Sequence, residues 1–171
     1  MVGTQNYMDP DGLFRKYGTD KATANIGGEY VTVANIREIE LKIDLTLLDQ
    51  TEAIQSDQVF VPAGARILEV HTIATTGAAT GTAIDVGLIR TDRTTEIDYD
   101  GLLAAAPTAN MNTAGEQSTY KVAVTIPTGL TGTGALVGTT TANVGYISAS
   151  RTDATAFTAG VILLKLRYYI P

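Results

Sequence analysis

Residues 38–48 read Glu-Ile-Glu-Leu-Lys-Ile-Asp-Leu-Thr-Leu-Leu, and this alternation limits the fold more than any other stretch of the chain. Ile39, Leu41, Ile43, Leu45 and Leu47 occupy every second position, so a strand gathers them on one face. A helix would scatter the same side chains around its circumference. The pattern predicts a long half-buried strand. Its charged face (Glu38, Glu40, Lys42, Asp44) is either solvated or part of a subunit contact, and the rest of the chain must cover the apolar one.

Further strands follow. Residues 30–33 predict a short one, and residues 58–61 lead into a tight reversal at Pro62-Ala-Gly-Ala. Residues 67–74 place Leu68 and Val70 on one face, and residues 75–81 are a small-residue turn. Residues 83–90 turn Ile84, Val86 and Leu88 inward with Asp85 and Gly87 opposite. Tyr120, Val122, Val124 and Ile126 mark another strand, with weaker signals at 135–138 and 143–150. Residues 157–169 are apolar on both faces and belong beside 38–48 at the centre of a sheet. Between 91 and 119 the period lapses: 97–100 extends an edge, 101–106 closes a helical turn before Pro107, and the remainder is loop. A connection of that length is functional or disordered.

About eight strands with turn signals between them and no helical repeat predict an all-β, antiparallel sandwich. A jelly roll is the first choice. The alternative is an immunoglobulin-like sandwich, against which stands the absence of Cys and Trp. The sandwich takes residues 30–171 as one domain. Residues 1–29 form a leading segment in which Gly18, Gly27 and Gly28 interrupt any strand. It is either a frayed terminus or an arm that orders against a neighbouring subunit, anchored by Leu13, Phe14 and Tyr17 beside the bases Arg15 and Lys16.

Composition agrees with this class. Thr is the commonest residue type and 17 Gly supply turns. The net charge of −6 argues against a direct nucleic-acid partner. Without Cys there are no disulfides, thiolate metal sites or Cys nucleophiles. No apolar run reaches the roughly 18 residues of a membrane span and the start is polar, so a soluble product with no membrane partner is expected.

No catalytic constellation is evident. His71 is the only histidine; a jelly-roll metal site needs several, so His71 reads as a surface or structural residue. Asp92, Glu96, Asp98 and Asp100 crowd together, and Asp98-x-Asp100-Gly101 resembles a fragment of a calcium loop without its remaining ligands. A solvated acidic loop is the plainer reading, and a glycosidase pair within residues 92–100 is a further alternative. The glycines from Gly129 to Gly138 mark turns, because no helix follows to aim at a phosphate. Lys165, Arg167, Tyr168 and Tyr169 fit an amphipathic last strand. The expectation is no enzyme, no cofactor and no metal.

Residues 11–23 (Asp-Gly-Leu-Phe-Arg-Lys-Tyr-Gly-Thr-Asp-Lys-Ala-Thr), Gly28-Glu-Tyr30 and the strand from Arg37 resemble a tailed-phage virion structural protein. Val61-Pro-Ala-Gly-Ala-Arg-Ile-Leu-Glu-Val70 and Ile84-Asp-Val-Gly-Leu88 are similar to segments of such proteins. The resemblance implies a capsid decoration, or cement, protein on the outer surface of the virion. Its implied partners are the major capsid protein and itself, as a trimer, with Leu13, Phe14, Arg15 and Tyr17 as contacts. A receptor- or carbohydrate-binding sandwich of a head fibre or tail appendage is the alternative.

Overall fold

The computed structural model describes residues 36–122 and 131–171 in full. It also gives the backbone of three strands, β1 (Asn6–Met8), β2 (Phe14–Lys16) and β3 (Gly27–Val31). The opening alternation forms β4 (Ile36–Asp44), whose Ile39, Leu41 and Ile43 are fully buried. The strand stops earlier than its pattern. Asp44 accepts hydrogen bonds from the Thr46 backbone N–H (3.0 Å) and hydroxyl (2.7 Å), turning the chain into a 3₁₀ helix at Leu45–Leu47. Leu45 stays in the core, while Leu47 is 69% exposed.

Two short strands, β5 (Ala53–Ile54) and β6 (Phe60–Val61), precede the predicted reversal. There Gly64 has φ +81° and the Ala65 N–H bonds the Pro62 carbonyl. β7 (Arg66–Ala79) overruns its predicted end. Its small residues let other backbone come close: a Cβ on Gly77 would lie 2.3 Å from the Asn112 carbonyl oxygen. The turn is confined to Thr80 and Gly81, both at positive φ.

β8 (Ala83–Arg90) points its side chains as expected. β9 (Glu96–Pro107) departs from expectation: the edge extension at 97–100 runs on through 101–106, where a helical turn was expected, as one 12-residue strand. Shifts in its register against β8 break the period of two that sequence reading relies on. After a 3₁₀ turn at Thr108–Asn110, β10 (Gln117–Lys121) buries Tyr120 but leaves Val122 beyond its end, 47% exposed. Val124 and Ile126 lie outside the described residues. Residues 135–138 are turns rather than a strand. β11 (Gly145–Arg151) and β12 (Ala159–Tyr169) complete the chain. Gly27 and Gly28, expected to interrupt a strand, begin β3 and pair with Leu41 and Glu40.

Among the described residues the strands make two antiparallel sheets. One runs β1-β2-β3-β4-β12-β7-β10, the other β5-β11-β8-β9 with β6 also on β11. β12 is central, as its two apolar faces predict, and pairs with β4 from Val161↔Asp44 to Tyr169↔Ile36. Between the sheets Leu164, Leu166, Tyr168, Ile67, Val70, Leu88, Leu103 and Ile147 form one core. Each such Leu or Ile contributes about 1.5–3 kcal/mol by leaving water. In this order β1, β2 and β3 lie on the side of β4 away from β12.

Candidate functional surfaces

The outward residues of β4, β12 and β7 form cross-strand rows. Register sets Arg167 opposite both Glu38 and Glu69. The side chains follow, with Arg167 Nε 2.6 Å from Glu38 and Nη1 2.8 Å from Glu69. One row along, Lys165 Nζ lies 3.0 Å from Glu40 and 3.7 Å from Glu38. The hydrogen bond to Glu40 pushes the Lys165 ammonium up, and that to Glu38, then Glu69, does the same for Arg167. The Arg167 row continues by register across the sheet as Tyr7, Arg15, Tyr30, Glu38, Arg167, Glu69 and Lys121. Tyr and Arg are the residue types that dominate binding hot spots.

A bulge interrupts this face. Arg167 pairs with Glu69 but Tyr168 pairs with Ile67, so Leu68 is the extra residue. Ile67 and Val70 go to the core, and Leu68 turns outward beside Glu69 rather than sharing a face with Val70. An open depression of about 410 Å³ results, lined by Ile36, Glu38, Leu68, Glu69 and Arg167. His71 lies on the same face, opposite Lys165 and Thr119. Its Nδ1 is 3.2 Å from the Thr119 hydroxyl, and its Nε2 has no hydrogen-bond partner among the described residues.

The second surface is the β8–β9 corner. From Val86↔Leu103 to Leu88↔Asp98, β8 advances two residues and β9 five. The surplus folds over Gly87, where a Cβ would meet the Asp98 carbonyl oxygen at 2.0 Å. Nearby, Ala105 takes φ +49° and donates its N–H to Asp85 at 2.7 Å. Burial raises the Asp98 carboxyl, as do a hydrogen bond and the charge from Asp100. Asp85 is raised by burial and by Asp100.

The sequence grouping of carboxylates is only partly spatial. Asp92 caps its own turn, and hydrogen bonds from Thr95 and Thr94 hold it at about 2. Asp85, absent from the sequence grouping, joins Asp98 and Asp100; only its outward position on β8 hinted at this. No group of three His, Asp or Glu is placed to hold a metal among the described residues. Of the expected contacts, Phe14 and Arg15 occupy adjacent positions of β2, opposite Val31 and Tyr30. Leu13 and Tyr17 lie outside the described residues. Lys165 and Arg167 serve the outward ladder while Tyr168 is buried, as an amphipathic last strand requires.

No family model matches the chain, and neither does any curated protein. Two solved structures are similar to it. With a chain in the capsid of Ralstonia phage GP4 it shares 14% identity and a TM-score of 0.49, over 78% of this chain and 84% of that one. With one in the capsid asymmetric unit of cyanophage Pam1 it shares 16% identity and a TM-score of 0.45, over 91% and 93%.

Proposed function

We propose that this protein is a structural component of a tailed-phage virion that decorates and cements the capsid surface as a jelly-roll sandwich. The observation that carries the reading is the placement of β1, β2 and β3. The leading segment holds the most distinctive part of the virion-protein resemblance, and its described strands add to the sheet at the β4 side. A strap that binds a neighbour needs such an extension, because exposed strand edges and faces are the means of β-addition. The strand order supports the jelly roll: with β5 and β6 sharing one position, the chain from β4 onward alternates between sheets except at the β8–β9 hairpin, and β4 and β12, the first and last strands of that run, are adjacent. An internally paired outer face suits a scaffold. The contacts on the major capsid protein would run through Leu13, Phe14, Arg15 and Tyr17, and the oligomer would be a trimer.

The test is deletion of residues 1–26, which keeps β3 for pairing with β4. The truncated protein should stay folded by circular dichroism yet co-sediment poorly with capsids stripped of the native protein. Undiminished co-sedimentation would remove the leading segment from the contact. Cryo-electron microscopy of capsids with and without the protein should show its density on the outer shell, and light scattering should give a trimer mass.

A further inference from the structure

We propose that residues 98–100 form a pH-gated flap over Gly87, closed in acid and open once Asp98 and Asp100 are both ionised. The inference does not depend on the virion reading. Its first support is geometric. Between the pairs Leu88↔Asp98 and Val86↔Leu103, β9 has three residues more than β8, so Tyr99 and Asp100 have no pairing partner on β8. The segment is pinned at its ends, by the pairing of Asp98 with Leu88 and by the Gly101 carbonyl, which accepts from the Leu136 N–H at 2.8 Å. Between them the Tyr99 N–H donates to the Glu96 carboxylate at 3.1 Å, a bond to a side chain and not to a neighbouring strand. Short segments with few backbone bonds open at low cost while the rest of a fold stays closed.

Ser148 gives a second, independent observation. It pairs with Gly87 and alternates with the core residues Ile147 and Ala149, so its side chain leaves the sheet on the outward face. It is nonetheless fully buried, and its hydroxyl has no hydrogen-bond partner among the described residues. Hydration relieves the cost of such a hydroxyl, which favours the open state. The gate itself is charge. Asp98 meets Asp100 and Glu96 from its own strand, and Asp85 faces Asp100 from β8. The side chain packed at Gly101 beside Asp98 is the uncharged Leu136. Among the described residues no ion pair reaches these four carboxylates, and Arg93 of the same hairpin is held by Asp57 at 2.7 Å. Asp98 and Asp100 hydrogen-bond each other only while one of them carries a proton, and repel when both are ionised. The closed state therefore binds this proton more tightly than the open one. A rise in pH through the raised Asp98 value shifts the flap towards open.

The experiment is amide hydrogen exchange of the full-length chain between about pH 5 and pH 8, read by NMR as protection factors so that the intrinsic pH dependence of exchange is removed. Protection of Tyr99 and Asp100 should lie well below that of Leu164 at every pH and should ignore urea below the unfolding transition, the marks of a local opening. It should fall with rising pH by up to about tenfold per unit, the slope of one proton. Asp98→Asn and Asp100→Asn each keep a donor for the remaining carboxylate and should hold the flap closed. Their protection at about pH 7 should be no lower than that of the wild type at about pH 5. Three results would overturn the proposal: flat protection in the wild type, protection equal to that of Leu164, or the wild-type fall persisting in either folded variant. The wild-type profile is a complete test should a variant fail to fold. None of these readouts involves a capsid, so a failed flap leaves the virion role standing and a failed capsid assay leaves the flap.

Discussion

Glu38, Glu40 and Glu69 on β4 and β7 face Lys165 and Arg167 across a stretch paired residue for residue, whereas Asp85, Asp98 and Asp100 on β8 and β9 are set against one another. Both regions are acidic, and the difference comes from register. Where pairing advances one residue for one, alternation in two sequences brings opposite charges together. Where β9 loops out three residues more than β8, the carboxylates it carries meet another carboxylate. The ladder should therefore be electrostatically favourable and tolerant, and the corner unfavourable and held by its backbone.

The sharpest break in that comparison is Gly87→Ala. The new methyl group would meet the Asp98 carbonyl oxygen at 2.0 Å and the Tyr99 carbonyl carbon at 2.3 Å, both of them backbone. No side chain can rotate away, so β9 must lift. The expected loss is about 3 kcal/mol or more, or about 6–12 °C in Tm for a chain of this size. A loss below about 1 kcal/mol would mean that the bulged strand is loosely held and the contrast overstated.

Arg167→Leu probes the ladder. It leaves Glu38 and Glu69, whose side chains are 19% and 26% exposed, on either side of an apolar residue. The expected cost is about 1–2 kcal/mol by urea denaturation, shrinking in 1 M salt. Adding Glu69→Gln should recover part of it. If the single variant costs nothing, the ladder contributes no stability, and its conformational order matters for binding alone.

The same contrast explains what could be read from residues alone. β4, β8 and β12 obey a period of two, so their inward residues were visible in Ile39, Leu41, Val86, Leu88 and Leu164, as was the placement of β4 and β12 side by side within a sheet. Within β9, bulges put Leu102 and Leu103, adjacent in sequence, both in the core, and Ala104–Ala106 carry no contrast of polarity. Strand identity there depends on pairing partners distant in sequence, including Gly132 and Leu136, which bond its other edge. Leu68 was misplaced for the same reason, because one bulged residue reverses the face of everything beyond it. The ladder was half legible: the charged face of β4 could be seen, but its partners on β12 and β7 are set by register.

The smallest expected effect is also the most specific, because its sign differs between two neighbouring aspartates. Asp98 is raised in the folded state by burial and by Asp100, so folding favours its protonated form. Its favourable contribution is complete below the unfolded value near 3.9 and is lost as pH rises through the raised folded value. Asp92 is lowered to about 2, so its contribution is present above about 4 and is lost as pH falls through 2. These two groups should therefore add stability as pH drops through the raised Asp98 value towards about 4, and lose it below about 4. Asp98→Asn removes the repulsion while keeping an amide that can hydrogen-bond Asp100. It should raise stability at pH 7 by less than about 1 kcal/mol, given its partial exposure, and flatten the rise on the neutral side. Asp92→Asn should leave that rise intact and remove the fall. Urea midpoints measured across the range separate the two. An Asp98→Asn profile parallel to the wild type would mean that folding does not favour the protonated Asp98, and that the carboxylates of the corner are as well accommodated as those of the ladder.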